Sequence, residues 1–116
     1  MAMRHLDAAR IEELRDIDGG KLLNFIFNHL VSDIDKLHKE ISKISPDRDR
    51  EAIGFLAHSI LGAALQAGAP LLAQAARALE AAARAPEHLS EAIEQIVVTG
   101  RKTRQEILEY LANTDI

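Results

Sequence analysis

The chain has 116 residues, no cysteine, and 18 acidic against 14 basic side chains, a formal net charge of −4. That length supports one domain with a single core, and the missing cysteines exclude a disulfide framework and any thiolate metal site. Interspersed charges argue against a nucleic-acid surface, and no apolar run approaches the roughly eighteen residues of a membrane span.

Taken in chain order, the periodicity predicts five helices and no strand. Asp7 reads as an N-cap, with Leu6 and Ile11 placed as a hydrophobic staple, and opens a short helix to about Ile17. Asp18-Gly19-Gly20 breaks it. A long second helix runs to about Ile44. Its Leu23, Phe27, Leu30, Ile34, Leu37, Ile41 and Ile44 alternate spacings of four and three, which is a bundle seam. Ser45-Pro46 reads as an N-cap followed by proline at the first position of a third helix, which Gly68-Ala69-Pro70 ends. The fourth helix gathers Leu72, Ala75, Ala76, Leu79 and Ala83 on one face and stops at Ala85-Pro86. The fifth buries Leu89, Ile93, Ile96, Val97, Gly100, Ile107, Leu108 and Leu111. Long helices with short connections pack as antiparallel neighbours. The expected fold is therefore all-α, an up-down antiparallel four-helix bundle with a short additional N-terminal helix, forming one domain over 1–116.

The third helix carries the chemistry. At about 100° per residue, Ile53, Leu56, Ile60, Ala63, Ala64 and Ala67 gather on a core face. His58 lies opposite them, with Gly54 one turn before it and Gly62 one turn after. A glycine inside a helix costs roughly 1 kcal/mol against alanine, so two of them beside a solvent-facing imidazole indicate that something large approaches it. If helices three and four fold back about Ala69, residues equally far from it stand at one height: His58 with Glu80, and Leu61 with Arg77. A carboxylate there accepts the Nδ1–H bond, fixes the tautomer and leaves Nε2 as a nucleophile. It also favours the imidazolium, so the ring must stay partly neutral to react. Arg77, one turn away, is placed to offer charge-assisted bonds to a phosphoryl group on Nε2. Gly54, Phe55, Leu61, Gly62 and Leu65 are the docking positions around His58, with Phe55, Leu61 and Leu65 as an apolar rim. The plainer alternative is that neighbouring helices cover those three, Phe55 above all.

Ala57-His58-Ser59-Ile60-Leu61-Gly62, then Gly68, then Leu79-Glu80 resembles the pattern of the histidine-containing phosphotransfer (HPt) domains. That pattern is Ala-His-x-x-Lys-Gly, a glycine six residues later, and a helix ending in Leu-Glu. The five-helix order, over essentially the whole chain, matches the family architecture. The resemblance implies an intermediate of a two-component phosphorelay, in which His58 accepts a phosphoryl group from a response-regulator receiver aspartate and passes it on. It implies a carrier and not an enzyme. No metal or cofactor would be its own, Mg²⁺ being supplied by the receiver. In the related domain of chemotaxis kinases, a glutamate at the position matching Glu80 hydrogen-bonds the phosphorylatable histidine, in agreement with the height argument. A monomer is implied as well, with no nucleic-acid partner and no membrane insertion. The opening Met-Ala-Met (1–3) reads as an expression remnant. An excised C-terminal domain of a hybrid sensor histidine kinase fits at least as well as a free-standing shuttle; either is expected in the cytoplasm, the former with its parent as a tether to the inner membrane.

One departure stands out. The family lysine three residues after the histidine is Leu61 here, and that lysine supports the incoming phosphate. Arg77 is expected to substitute for it in part. The same departure opens an alternative, an HPt-fold interaction module that docks a receiver with weak or no transfer. The imidazole at 58, for which a pure adaptor has no use, favours the relay. A helical-bundle enzyme or metal protein is disfavoured by the lack of Glu-x-x-His pairs and of any convergent carboxylate cluster. His5, His29, His38 and His88 read as structural or solvent-facing. His29 and His38 are nine residues apart, which is not the i, i+4 spacing of a helical ligand pair.

Overall fold

Every regular element among the described residues is helical. The computed structural model describes residues 4–45 and 48–114, with Pro86 by its backbone alone, so residues 1–3 and Pro46 fall outside it. The helices are α1 (Ala8–Arg15), α2 (Lys21–Lys43), α3 (Arg50–Ala67), α4 (Pro70–Ala82) and α5 (Leu89–Ala112). Short 3₁₀ turns occupy Asp18–Gly20 and Pro86–His88.

Local chemistry explains most boundaries. The Asp7 carboxylate accepts the Ala9 N–H at 3.1 Å, and Leu6 and Ile11 are buried as a staple requires. α1 stops at Arg15, two residues short of Ile17, because the backbone then turns left-handed at Asp18, Gly19 and Gly20 in succession. Glycine enters that region without a Cβ penalty, and aspartate is among the few other residues that visit it. α2 carries the expected seam: Leu23, Phe27, Leu30, Ile34 and Leu37 are fully buried, with Ile26 beside them and Ile41 and Ile44 half-buried at its end.

Two expectations need correction. Ser45 does not cap α3, which begins at Arg50. Its carbonyl accepts the amides of Arg48 (3.1 Å) and Asp49 (2.9 Å), while its own amide donates to Asp49 Oδ2 at 3.0 Å. The Asp49 side chain thus closes a local turn that competes with helix, and α3 starts only after it. Leu108 is exposed and outside the core. The buried stripe of α5 runs Leu89, Ala92, Ile96, Gly100, Thr103, Ile107, and a residue directly after Ile107 is turned about 100° away from it. The buried Thr103 is accommodated because its hydroxyl donates to the Thr99 carbonyl at 2.8 Å.

The long helices close a ring, α2 on α3, α3 on α4, α4 on α5 and α5 on α2, with α1 against α2. Contacts between α2 and α5 pair early residues of one with late residues of the other. Phe27 meets the edge of Tyr110 at 5.6 Å, Asp35 accepts from Arg104 Nε at 2.8 Å, and His38 Nε2 lies 3.2 Å from the Val97 carbonyl. The α3–α4 pairing is the most extensive, and both helices bury small side chains, Ala57, Ala64 and Ala67 on α3 and Ala73, Ala75, Ala76 and Ala82 on α4. Helices so lined approach closely. Gly68 turns the chain between them at φ 75°, and a Cβ there would stand 2.7 Å from Cγ of Arg10. Its carbonyl accepts the Asp7 amide at 2.7 Å, so the hairpin turn also seats the N-terminal segment.

Candidate functional site

The buried face of α3 is Ile53, Ala57, Ile60, Ala63, Ala64 and Ala67. Leu56 is only half-buried, and Ala57 occupies the place expected for it. The opposite face presents His58 with 74% of its side chain exposed. Its Nδ1 lies 3.1 Å from Oε2 of Glu80 on α4. A carboxylate accepts from Nδ1–H, so in the neutral ring this contact places the proton on Nδ1 and the lone pair on Nε2. Nε2 has no protein partner among the described residues. The hairpin register places Glu80 where the equal-distance argument from Ala69 puts it.

An open cleft of about 500 Å³ adjoins the imidazole. Gly54 and Ala83 are among its lining residues, and a Cβ on Gly54 would lie in ordinary van der Waals contact with that of Ala83, at 3.8 Å. His58, Glu80 and Phe55 also line the cleft, together with Arg50 and Glu51 from the start of α3 and Arg84 from just past the end of α4. Phe55 is 69% exposed and Leu65 52% exposed, so neighbouring helices do not cover them. Leu61 differs: it is half-buried and packs against the core, which takes it out of the exposed rim. A Cβ added at Gly62 would meet nothing within 4 Å, so the surface beyond His58 is low and open.

Two arginines that the sequence reading does not single out, Arg50 and Arg84, line the cleft, whereas Arg77 is not among its lining residues. Arg77 is exposed, makes no ion pair among the described residues, and does not line the cleft. It stands level with Leu61, on the other side of His58. Arg50 and Arg84 do line the cleft. Their signal is present in the sequence: Arg50, Gly54 and His58 repeat every fourth residue, Glu80 and Arg84 are four apart, and Arg84 pairs in height with Gly54. Applying the height rule one turn away from Leu61 finds them.

The other histidines have separate surroundings. His5 is buried near the start of the described chain, where its amide and that of Arg4 donate to Glu106. His38 is half-buried against α5, while His29 and His88 are exposed. Among the described residues no group of three His, Asp or Glu side chains is placed to hold a metal ion. No described helix is long and apolar enough to cross a membrane.

Comparison with curated proteins and with solved structures returned no match. The family model described as Hpt domain matches residues 21–114, from the first residue of α2 to the end of the described chain, leaving α1 outside it. With most of the chain covered, and an exposed, carboxylate-bonded histidine on the helix that follows the family's motif, the chain belongs to the Hpt domain family, the phosphocarrier modules of two-component phosphorelays.

Proposed function

We propose that this chain is a phosphorelay intermediate in which His58 takes a phosphoryl group from a receiver-domain aspartate and hands it to another. The observation that carries this reading is the state of one imidazole, with Nδ1 held by Glu80 and Nε2 open to solvent on a flat, glycine-flanked helix face. In the transfer step, the Nε2 lone pair attacks phosphorus and the P–O bond to the receiver carboxylate breaks, its electron pair leaving with that carboxylate. The Nδ1 proton stays on the ring, and the Glu80 carboxylate balances the positive charge that the ring acquires. Glu80 is a positioning residue. Mg²⁺ and most of the transition-state stabilisation belong to the receiver, so the chain is substrate and carrier and not an enzyme.

The fold supports the role. The paired contacts of α2 with α5 and the α3–α4 hairpin support an up-down antiparallel bundle acting as one domain. Phe55 and Leu65, exposed on either side of His58, are the apolar contacts a receiver would cover on docking. The second reading, a docking module without transfer, has one observation in its favour, the half-buried Leu61 at the position of the family lysine.

Incubation with a radiolabelled, phosphorylated receiver domain separates the two. The relay predicts acid-labile, alkali-stable label on the wild-type chain and none on His58→Gln. No label on either, while the receiver still binds, would make the chain a docking module.

A further inference from the structure

Leu61 leaves the expected phosphate-supporting position without a cation, yet the cleft on the opposite side of His58 holds two. The geometry points to Arg84, with Arg50, as the pair that neutralises the phosphoryl group on Nε2, moving the cationic support from the C-terminal to the N-terminal side of the histidine. This inference rests on the relay reading of His58.

Arg50 lies two turns before His58 on the same stripe of α3, with Gly54 between them. That glycine puts no side chain into the space separating guanidinium from imidazole. Arg84 lies one turn after Glu80 on α4, so the residue that orients the ring and the residue that would meet its phosphate share one helix face. Both arginines line the cleft together with His58 and Glu80.

Neither Arg50 nor Arg84 forms an ion pair or side-chain hydrogen bond with another described residue, whereas Arg10 bonds Glu13 and Arg104 bonds Asp35. The acidic groups of the cleft are Glu80, already committed to Nδ1, and Glu51. A phosphoryl group brings three acceptor oxygens and up to about two negative charges, which planar guanidinium donors match well. Arg77 and Leu61 stand on the other side of the ring, outside this cleft.

The test phosphorylates the chain with potassium phosphoramidate, which needs no receiver, and follows the phosphohistidine by ³¹P NMR across pH. A nearby guanidinium favours the more negative phosphoryl form, so removing it raises the pH at which the phosphoryl group titrates. We expect Arg50→Ala/Arg84→Ala to shift that midpoint upward by roughly half a pH unit, the size of an interaction across several ångströms of solvent-rich cleft. Arg84→Lys in place of Arg84→Ala should bring the midpoint most of the way back down, since the charge returns, and Arg101→Ala on α5 should leave the wild-type midpoint unmoved. Circular dichroism shows whether each variant is folded, and the single variants serve if the double one is not. A phosphohistidine that titrates identically in wild type and in the folded arginine variants overturns the arginine assignment alone. No phosphohistidine at position 58 of the wild type overturns the relay reading and the assignment with it.

Discussion

His58 on α3 and His38 on α2 belong to the same ring of helices, and each has one ring nitrogen within hydrogen-bond reach of a neighbouring helix. His38 is half-buried, its Nε2 placed to donate to the Val97 carbonyl at 3.2 Å, with the Gly100 backbone beside the ring. His58 is largely exposed, and its partner is a carboxylate on Nδ1. The surroundings account for the difference. Phe27, Leu30, Ile34 and Leu37 of α2 and Ile96 and Ile107 of α5 are fully buried, and bulky side chains of this kind build a thick core that encloses what lies between them. The α3–α4 hairpin is lined with alanine and its outer face is cut down by Gly54 and Gly62, so it encloses little and stays open above the imidazole. An imidazole tied to a backbone carbonyl between helices is held inside the bundle; one held by a carboxylate at an open surface keeps its other ring nitrogen accessible.

That contrast yields predictions in descending size. His58→Gln should abolish phosphorylation while changing unfolding free energy by no more than about 0.5 kcal/mol, as expected of an exposed side chain. Chemical denaturation alongside the labelling assay checks both halves, and a large loss of stability would mean that His58 has a structural task. Ile34→Ala should do the reverse, costing about 3 kcal/mol of stability through the cavity it leaves, while the folded fraction still accepts phosphate. A loss of transfer in fully folded Ile34→Ala would break the separation between the two regions.

Glu80→Gln should keep the hydrogen-bond shape and lose its charge. A charge-assisted bond is about twice as strong as a neutral one, so transfer should slow by roughly five-fold with little change in stability. Stopped-flow or quench-flow transfer kinetics would detect it, and an unchanged rate would remove Glu80 from its positioning role. The smallest effect is expected for Arg77→Ala, whose phosphohistidine lifetime should change less than that of Arg84→Ala. The opposite order would return the phosphate support to the Leu61 side of the ring.

Much of this was legible in the sequence because its signals are local. Asp7, the Asp18-Gly19-Gly20 break and Gly68 fix backbone conformation within a few residues, and the seam of α2 repeats often enough to be unambiguous. The meeting of His58 with Glu80 was also legible, since a tight hairpin converts distance along the chain into height. What escaped was decided by competition between neighbours or by reach. Ser45 has the chemistry of a cap, but the Asp49 carboxylate takes its amide into a turn first. Leu108 is apolar, yet the α5 stripe passes through Ile107 instead. Leu61 shows how a half-turn ambiguity in facing moves a side chain from rim to core edge. Arg50 and Arg84 lie within the same height rule, but a long side chain enters a cleft only if the cleft exists, and this one depends on how closely α3 approaches α4 at Gly54 and Ala83.

The central claim, that one of five histidines is the phosphoacceptor because among the described residues it alone combines an open Nε2 with a carboxylate-held Nδ1, is tested most directly by locating the phosphate. The wild-type chain would be phosphorylated, digested under neutral conditions and sequenced by electron-transfer mass spectrometry. The account predicts a single phosphate, carried by the peptide containing His58. Phosphate on His29 or His88, which are also exposed, or on no histidine at all, would contradict it.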